Sequence, residues 1–181
     1  MSRLPAIQTE AADGKAKQLL EAVQAKLKLT PNMTRVMANS AAVLDAYLSF
    51  SGALAGGSLP AKLREEIALE VGEQNACQYC VSAHTAIGKL TGLTEAEIEQ
   101  ARDARSNSPK HTAALAFARQ LVAKQGKVEE VEFDAVRRAG FSDGDIAEIV
   151  AHVALNIFTN YFNLAAAVDV DFPKIALRRV A

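Results

Sequence analysis

Two cysteines and a histidine are grouped in one short segment of the chain, Cys77-Gln78-Tyr79-Cys80 followed by His84. The sequence contains no other cysteine. Because an α-helix turns about every 3.6 residues, positions 77, 80 and 84 of a helical segment lie on one face. Two thiols beside an imidazole have the composition of a redox site. One sulfur can be activated, the other can close a disulfide, and the imidazole can take the proton.

The two thiols are expected to differ in acidity and in role. A break at Asn75-Ala76 puts Cys77 at a helix start, where the dipole and unpaired N–H groups lower a thiol pKa from about 8.5. His84 lies one turn beyond Cys80, and a base must be within hydrogen-bond reach of the thiol it deprotonates. We therefore assign the attack to Cys80. Cys77 then suits the resolving role, and we expect it to be the more exposed sulfur, accessible to an outside reductant.

A carboxylate often orients a histidine that acts as a base. Four glutamates lie on the predicted helix before the cysteines, and antiparallel packing of that helix would bring one of them to His84. The spacing alone does not choose among Glu65, Glu66, Glu70 and Glu73.

Composition points to one all-α domain. The chain has 181 residues, half of them hydrophobic, with 6% aromatics and no tryptophan, which suits close-packed helices better than a sheet. The net charge of −1 gives no electrostatic basis for binding nucleic acid. The first residues lack the apolar segment of a signal peptide, so we predict a cytoplasmic, reducing compartment. There, a cysteine pair is typically catalytic or metal-binding rather than a structural disulfide.

Hydrophobic periodicity and capping residues predict a helical bundle joined by short polar turns. The last predicted helix is about as long as a membrane span, but four polar residues at helical spacing would be costly in lipid. We therefore predict a central helix and no membrane, with this polar stripe meeting partners inside the protein or across a subunit boundary. The stripe is His152, Asn156, Asn160 and Asn163. The predicted helices span residues 10–29, 39 or 40 to 54, 58 or 59 to 73, 77–91, 94 onward, 109–122, 129–139 and 142–168.

The spacing from Glu65 to Cys77, Cys80 and His84 resembles the E-x(11)-C-x-x-C-x(3)-H signature of the AhpD-like alkylhydroperoxidases. This family belongs to the carboxymuconolactone decarboxylase superfamily. The flanking sequence is similar too, and the resemblance extends from about residue 30 to 173. Its further elements are Pro31-Asn32 ahead of a helix, Arg64-Glu65 with Ile67-Ala68-Leu69, Ala83-His84-Thr85, and Asn160-Tyr161-Phe162-Asn163.

The resemblance implies a single AhpD-like helical domain over residues 1–181, with a helical extension (1–30), a core (31–173) and a tail (174–181). It implies homotrimers or homohexamers that reduce peroxides without a cofactor or metal. Carried over by position, Cys80 is the peroxidatic thiol, Cys77 the resolving thiol and His84 the base. Glu65 then starts a proton relay, and the other three glutamates are expected on a solvated face.

One residue departs from the pattern. The best-known members carry a second histidine directly before the second cysteine, where this chain has Tyr79. A phenol donates a hydrogen bond but is a poor base near neutrality, so the relay is expected to be shorter. Those members act with a lipoyl adaptor protein. An external dithiol, with a lipoyl protein as one form of it, is therefore the expected reductant, although no residue in the sequence identifies it.

Two other functions use the same residues. A disulfide reductase or redox sensor would exchange disulfides without consuming peroxide, and a non-catalytic zinc-binding or interaction module would use Cys77, Cys80 and His84 with a fourth ligand. Lactone decarboxylation is a weaker possibility, because it has no evident need for a dithiol.

We expect His111 to be solvent-exposed and His152 to be a core residue. Five residues could line a peroxide pocket, although core packing is the expectation for most: Met33, Met37, Tyr47, Phe50 and Leu54.

Overall fold

The computed structural model describes residues 2–178, and within that range it contains nine α-helices, one short 3-10 turn (Thr9–Ala11) and no strand. The all-α prediction is therefore confirmed. Met1 and residues 179–181, the end of the predicted tail, lie outside the described residues. The helices are α1 (Gly14–Leu27), α2 (Asn32–Met37), α3 (Ala41–Ala55), α4 (Ala61–Gln74), α5 (Gln78–Leu90), α6 (Glu95–Ala101), α7 (Pro109–Ala123), α8 (Glu130–Arg138) and α9 (Asp143–Ala166).

Local capping signals placed most helix starts correctly. The Ser40 hydroxyl accepts from Val43 N at the start of α3, and Ser108 caps α7 in the same way. Thr94 and Ser142 open α6 and α9 with complete capping boxes. The short helix α2 was not among the helices predicted from periodicity, since six residues are too few to establish a period.

Helices α4 and α9 are central, and each packs against α5 and α7. Around them the buried apolar residues form two clusters. The α7-side core contains, among others, Leu63, Ile67, Leu115, Phe117, Ile149 and Val153. The cysteine-side core contains Leu20, Met33, Val36, Met37, Ala38, Leu44, Cys77, Tyr79, Cys80, Ala83, Ala166 and Val168.

Helix α9 is the one helix in the described residues that is long and apolar enough to cross a membrane, with a mean hydropathy of 1.2, but half of that window is buried in the protein. Its polar stripe is also buried, with at most 5% of His152, Asn156, Asn160 and Asn163 exposed. The prediction of a central helix with an inward polar stripe is confirmed. A packed core helix of a soluble protein has these properties.

Helices α4 and α5 form an antiparallel pair across a tight turn. Ala76 adopts the left-handed conformation (φ 51°), and Cys77 N donates to Gly72 O at 2.9 Å. A Cβ atom at Gly72 would lie 3.3 Å from Val81 Cγ2 and 3.6 Å from Cys80 Cβ. The absence of a side chain at Gly72 therefore lets α4 approach α5 closely beside the cysteines.

The chain after α9 runs back over the first turns of α5. We call residues 168–178 the C-terminal strap. The Phe172 ring meets the Tyr79 ring edge-on at 5.8 Å between centroids, and Ile175 N donates to Ser82 Oγ at 3.1 Å. Further along the strap, Arg178 N donates to Glu73 Oε1 at 2.6 Å. The strap is thus fastened to both α4 and α5.

Candidate active site

The cysteine pair lies at the N-terminus of α5. Cys77 is the N-cap residue, and its sulfur accepts from Cys80 N at 3.3 Å. Cys77 and Cys80 are joined in a disulfide, with their Cα atoms 5.3 Å apart. The predicted helix start at Cys77 is confirmed. The Cys77 sulfur therefore lies beside the unpaired N–H groups at the N-terminus of α5.

Both sulfurs are buried, so the expectation of an exposed Cys77 is wrong. Cys77 is 1% exposed and Cys80 is 2% exposed. A helix N-terminus usually faces solvent, but here both residues belong to the cysteine-side core, against which Phe172 of the strap also packs. Segments that are distant in sequence therefore cover Cys77 and Cys80, which would otherwise be exposed at the helix end.

Helix α4 places one glutamate against His84. Glu65 Oε2 lies 2.8 Å from His84 Nδ1, and the two side chains are 16% and 23% exposed. The contact selects Glu65 among the four candidates as the carboxylate that orients the ring. With Nδ1 held by Glu65, Nε2 is left as the ring atom that can exchange a proton. The catalytic roles of both residues stay predictions.

The other three glutamates are buried and paired, so the expected solvated face is wrong. Glu66, Glu70 and Glu73 are at most 2% exposed. Their partners lie on helices and loops distant in sequence, so the sequence of α4 alone does not reveal them. Glu66 Oε2 lies 2.6 Å from His111 Nδ1, Glu70 Oε1 lies 2.6 Å from Arg119 Nε, and Glu73 Oε2 lies 2.7 Å from Arg102 Nε.

His111 is therefore not the solvent-exposed residue that its place near a helix start suggested. Its side chain is 22% exposed and its Nδ1 atom is held by Glu66, whose other oxygen accepts from Ser106 Oγ at 2.9 Å. This second histidine–glutamate pair ties α4 to the start of α7.

Tyr79, which directly precedes Cys80, anchors α2 to α5. Its hydroxyl accepts from Met33 N at 3.1 Å, and the residue is 5% exposed. Burial is the main cause that raises the pKa of Tyr79 far above its ordinary value, with the Asp171 carboxylate adding to it and the bond from Met33 opposing it. The phenol stays neutral and holds α2 against α5, which agrees with the expectation that it is a poor base.

A residue that received no role from the sequence contacts the Cys80 sulfur. Asn163 Nδ2 lies 3.3 Å from Cys80 Sγ and 3.3 Å from Met33 Sδ. Asn163 is 3% exposed, and its Oδ1 atom has no hydrogen-bond partner among residues 2–178. The buried polar stripe of α9 was the sequence signal for this residue, but the stripe did not indicate which of its members reaches the cysteines.

Two further titratable groups lie in the field of Glu65. Burial and, secondarily, the Glu65 charge raise the pKa of Tyr47 to about 12. Burial and the Arg64 charge lower the pKa of His152, while Glu148 and Glu65 partly oppose them. His152 is 5% exposed, as expected of a core histidine, but its Nε2 atom has no partner in the described part of the chain.

The pocket suggested by the sequence is mostly core. Met33 and Met37 are buried in the cysteine-side core, Tyr47 packs against it, and Phe50 is 38% exposed. A surface cleft of about 350 Å³ lies elsewhere, between Phe133, Arg137 and Val150. Chemistry, rather than cavity size, therefore locates the candidate site at the cysteines. Within residues 2–178, no three His, Cys, Asp or Glu side chains are grouped so that they could hold a metal ion.

Comparison with known proteins gives both a sequence family and structural neighbours. The family model for the carboxymuconolactone decarboxylase family matches residues 41–120, which include the cysteines, His84 and all four glutamates of α4. None of the curated proteins is significantly similar to the chain in sequence.

Several solved structures share the whole fold. The alkylhydroperoxidase AhpD core of a peroxidase-related protein from Ralstonia eutropha JMP134 superposes with a TM-score of 0.85 at 27% identity, covering 94% of this chain and 92% of that one. A peroxidase-related protein from Silicibacter sp. TM1040 gives 0.81 at 26% identity, covering 93% and 91%. The debrominase Bmp8, solved with 2,3,4-tribromopyrrole, gives 0.78 at 21% identity, covering 93% and 91%, and so shares the fold.

Family match, full-length superposition and signature spacing agree. Residues 41–120 match the carboxymuconolactone decarboxylase family, and the chain has the AhpD-like fold.

Proposed function

We propose that this chain is a thiol-dependent peroxidase that reduces hydrogen peroxide or organic hydroperoxides through a dithiol–disulfide cycle of Cys77 and Cys80. One observation carries the proposal. The Cys77–Cys80 disulfide at the start of α5 lies one helical turn before His84, and the Glu65 carboxylate holds His84 with Oε2 2.8 Å from Nδ1. The peroxidase-related neighbours from Ralstonia eutropha and Silicibacter support it.

In the first half of the cycle, His84 takes the Cys80 proton and leaves a thiolate. The thiolate attacks the terminal oxygen of RO–OH, so that an S–O bond forms, the O–O bond breaks and the leaving RO⁻ takes the proton from His84 as ROH. The sulfur is oxidised to a sulfenic acid while the peroxide is reduced. Glu65 keeps the His84 ring oriented through the contact of its Oε2 atom with Nδ1 at 2.8 Å.

In the second half, the Cys77 thiol attacks the Cys80 sulfenic acid. The S–S bond forms and the oxygen leaves as water, which gives the disulfide that the chain contains. An external dithiol then restores both thiols by exchange. We propose a lipoyl-type dithiol as its form, because both sulfurs are buried and a slim reductant reaches them more easily than a bulky one.

The same burial argues against a general protein disulfide reductase. A disulfide of a folded protein would have to come into line with a sulfur that is at most 2% exposed. A peroxide molecule is far smaller and needs a much narrower opening. An assay of disulfide exchange on a folded protein substrate, run beside the peroxide assay, separates these activities.

The decisive test is a stopped-flow measurement of thiol loss when peroxide is added to the reduced protein. We expect the wild type to lose both thiols in one phase. Cys80→Ser should lose reactivity altogether, while Cys77→Ser should react once and stop at the sulfenic acid. Peroxide consumption by Cys80→Ser at the wild-type rate would overturn the proposal.

We also propose that the protein works in the cytoplasm as a homotrimer or homohexamer. An apolar row on the outer face of α9 supports the assembly, since Val150, Phe158 and Tyr161 are 39%, 39% and 60% exposed at helical spacing. Light scattering of the purified chain measures the mass directly, and a monomer at micromolar concentration would contradict the assembly.

A further inference from the structure

Asn163 has two unusual features at the reacting sulfur, and they concern opposite ends of one amide group. Its nitrogen contacts Cys80 Sγ at 3.3 Å, and its oxygen is buried without a partner among the described residues. Most buried polar atoms in proteins have hydrogen-bond partners, so an exception beside a nucleophile needs a reason.

Chemistry fixes which end of the amide faces the sulfurs. Neither the Met33 thioether nor a disulfide sulfur carries a hydrogen, so both can only accept. The amide must therefore present its two N–H groups to them, one to Met33 Sδ and one to Cys80 Sγ, each at 3.3 Å. The Oδ1 atom is then left over, roughly 2.2 Å from Nδ2 by covalent geometry and within about 6 Å of the reacting sulfur.

The amide is held firmly in this position. Met33 takes one of its N–H groups, and the Met33 backbone is itself bonded to the Tyr79 hydroxyl at 3.1 Å. Tyr79 precedes Cys80 directly, so the contacts form a closed ring from the sulfur through α9 and α2 back to α5. A donor held in this way costs little reorganisation when charge develops on the sulfur.

We propose that Asn163 is a catalytic residue that uses both ends of its amide: Nδ2–H stabilises the Cys80 thiolate, and Oδ1 accepts the O–H group of the incoming hydroperoxide. The second part rests on the proposed peroxidase function. In RO–OH the attacked terminal oxygen carries the hydrogen, and that hydrogen stays on it in the sulfenic acid. Oδ1 can therefore hold the same O–H before and after the O–O bond breaks, while RO⁻ leaves with the proton from His84.

The titratable groups near Cys80 come from several elements. Cys77 and His84 lie on the same helix, and Glu65 of α4 lies beyond His84. Neutral Tyr79 is bonded to α2 and lies in the field of Asp171 of the strap and Tyr47 of α3. Helix α9 contributes the uncharged Asn163. An effect of Asn163 on the Cys80 thiol pKa is therefore an effect of hydrogen bonding, separate from the charge of the His84–Glu65 pair.

The test uses the full chain in a Cys77→Ser background, so that Cys80 is the only thiol that titrates. Thiolate absorbance and iodoacetamide alkylation are followed against pH without any peroxide. Asn163→Leu removes both polar atoms at similar size, and Asn163→Asp keeps an oxygen but removes the donor. We expect Asn163→Leu to raise the Cys80 pKa by about one unit or more, as loss of a hydrogen bond to a charged group does, and Asn163→Asp to raise it further because it also adds a negative charge. An unchanged pKa in Asn163→Leu overturns the Nδ2 role.

The Oδ1 role is read from the rate of reaction with hydroperoxide above the raised pKa, where Cys80 is fully ionised in every variant. We expect Asn163→Leu to stay about tenfold or more below the parent there, while Asn163→Asp, which keeps an acceptor, recovers further. Full recovery of Asn163→Leu would overturn this role. If the parent itself ignores peroxide, the proposed function and the Oδ1 role fail together, and the pKa result still decides the Nδ2 role.

Asn160→Leu is the matched control. Asn160 is fully buried on the same stripe, but its Oδ1 atom accepts from Asn75 Nδ2 at 2.9 Å and not from the site. We expect it to lose stability without any change in the Cys80 pKa. If the variants do not fold, NMR of the wild type still tests the proposal. The Asn163 side-chain amide resonances should shift as Cys80 titrates. Constant resonances would overturn the proposal.

Discussion

Glu65 and Glu66 are neighbours on α4, and each holds the Nδ1 atom of a histidine, at 2.8 Å for His84 and 2.6 Å for His111. The two pairs face different neighbouring helices. The Glu65 pair faces α5 and lies one turn from Cys80, whereas the Glu66 pair faces α7 and adds a bond from Ser106. Glu65 is also the less buried of the two, with 16% of its side chain exposed against 3% for Glu66.

The difference shows that a histidine held by a carboxylate is not by itself a catalytic signature. Two almost identical pairs arise from consecutive residues, and what distinguishes them is the neighbour of the histidine: a redox sulfur in one case, a helix start in the other. We therefore expect the first pair to matter for rate and the second for stability, and the following experiments test that division.

The largest difference is expected between the two histidines. His84→Ala removes the proposed base, so we expect the rate of Cys80 oxidation by peroxide near neutral pH to fall about 10²-fold to 10⁴-fold. His111→Ala should leave the rate of the folded protein unchanged. Single-turnover kinetics of both variants provide the measurement, and a fall of similar size in both would remove the distinction between the pairs.

The two glutamates should show the reverse order in stability. Glu66→Ala leaves His111 and Ser106 without their buried acceptor, and a buried donor left unsatisfied typically costs about 1–3 kcal/mol of unfolding free energy. Glu65→Ala should cost less, because its pair is partly exposed, but it should slow peroxide reduction roughly tenfold by releasing the His84 ring. Urea unfolding and the peroxide assay on both variants test this, and equal stability losses would contradict it.

The smallest effect concerns His152, which lies in the field of Glu65. Burial lowers its pKa in the folded state, whereas the unfolded chain takes up a proton at about pH 6.5. Below about pH 6.5 the unfolded state thus binds more protons, so this contribution to stability is present above that pH and is lost as the pH falls. We expect His152→Gln to reduce the acid slope of the unfolding free energy.

The charge of Glu65 opposes the lowering of the His152 pKa. Removing that charge should lower the pKa further and widen the pH range over which stability is lost, so Glu65→Gln should be more acid-sensitive than the wild type. Glu66→Gln should not change the slope through His152. Unfolding curves between about pH 5 and 8 measure all three variants, and identical slopes in Glu65→Gln and Glu66→Gln would contradict this account.

Local signals in the sequence carried much of the fold and part of the site. Caps such as Ser40 and Thr94 act within one helical turn, so they are readable from a few residues. The positions of Cys77, Cys80 and His84 on one helix are local in the same sense. Glu65 required the family signature, because its contact with His84 depends on how two helices pack.

The remaining parts of the site depend on contacts between distant segments. Asn163 reaches Cys80 across 83 positions of sequence, and the strap reaches Ser82 across 93. The sequence of α4 suggests that Glu70 is a surface residue, but in the folded chain Glu70 is buried and paired with Arg119 of α7. Periodicity indicates that a face is polar, but it does not indicate whether another helix covers that face.

The C-terminal strap has a consequence for the proposed redox cycle. It lies over the start of α5, joined to Ser82 and Glu73, and its Phe172 packs against the core that holds both sulfurs. In the proposed cycle, oxidation of the thiols by a small peroxide and reduction of the disulfide by a larger dithiol therefore face different steric demands. Loosening the strap should leave the oxidative step unaltered while the regenerating step speeds up, so that a single chain segment would set the balance between the two half-reactions.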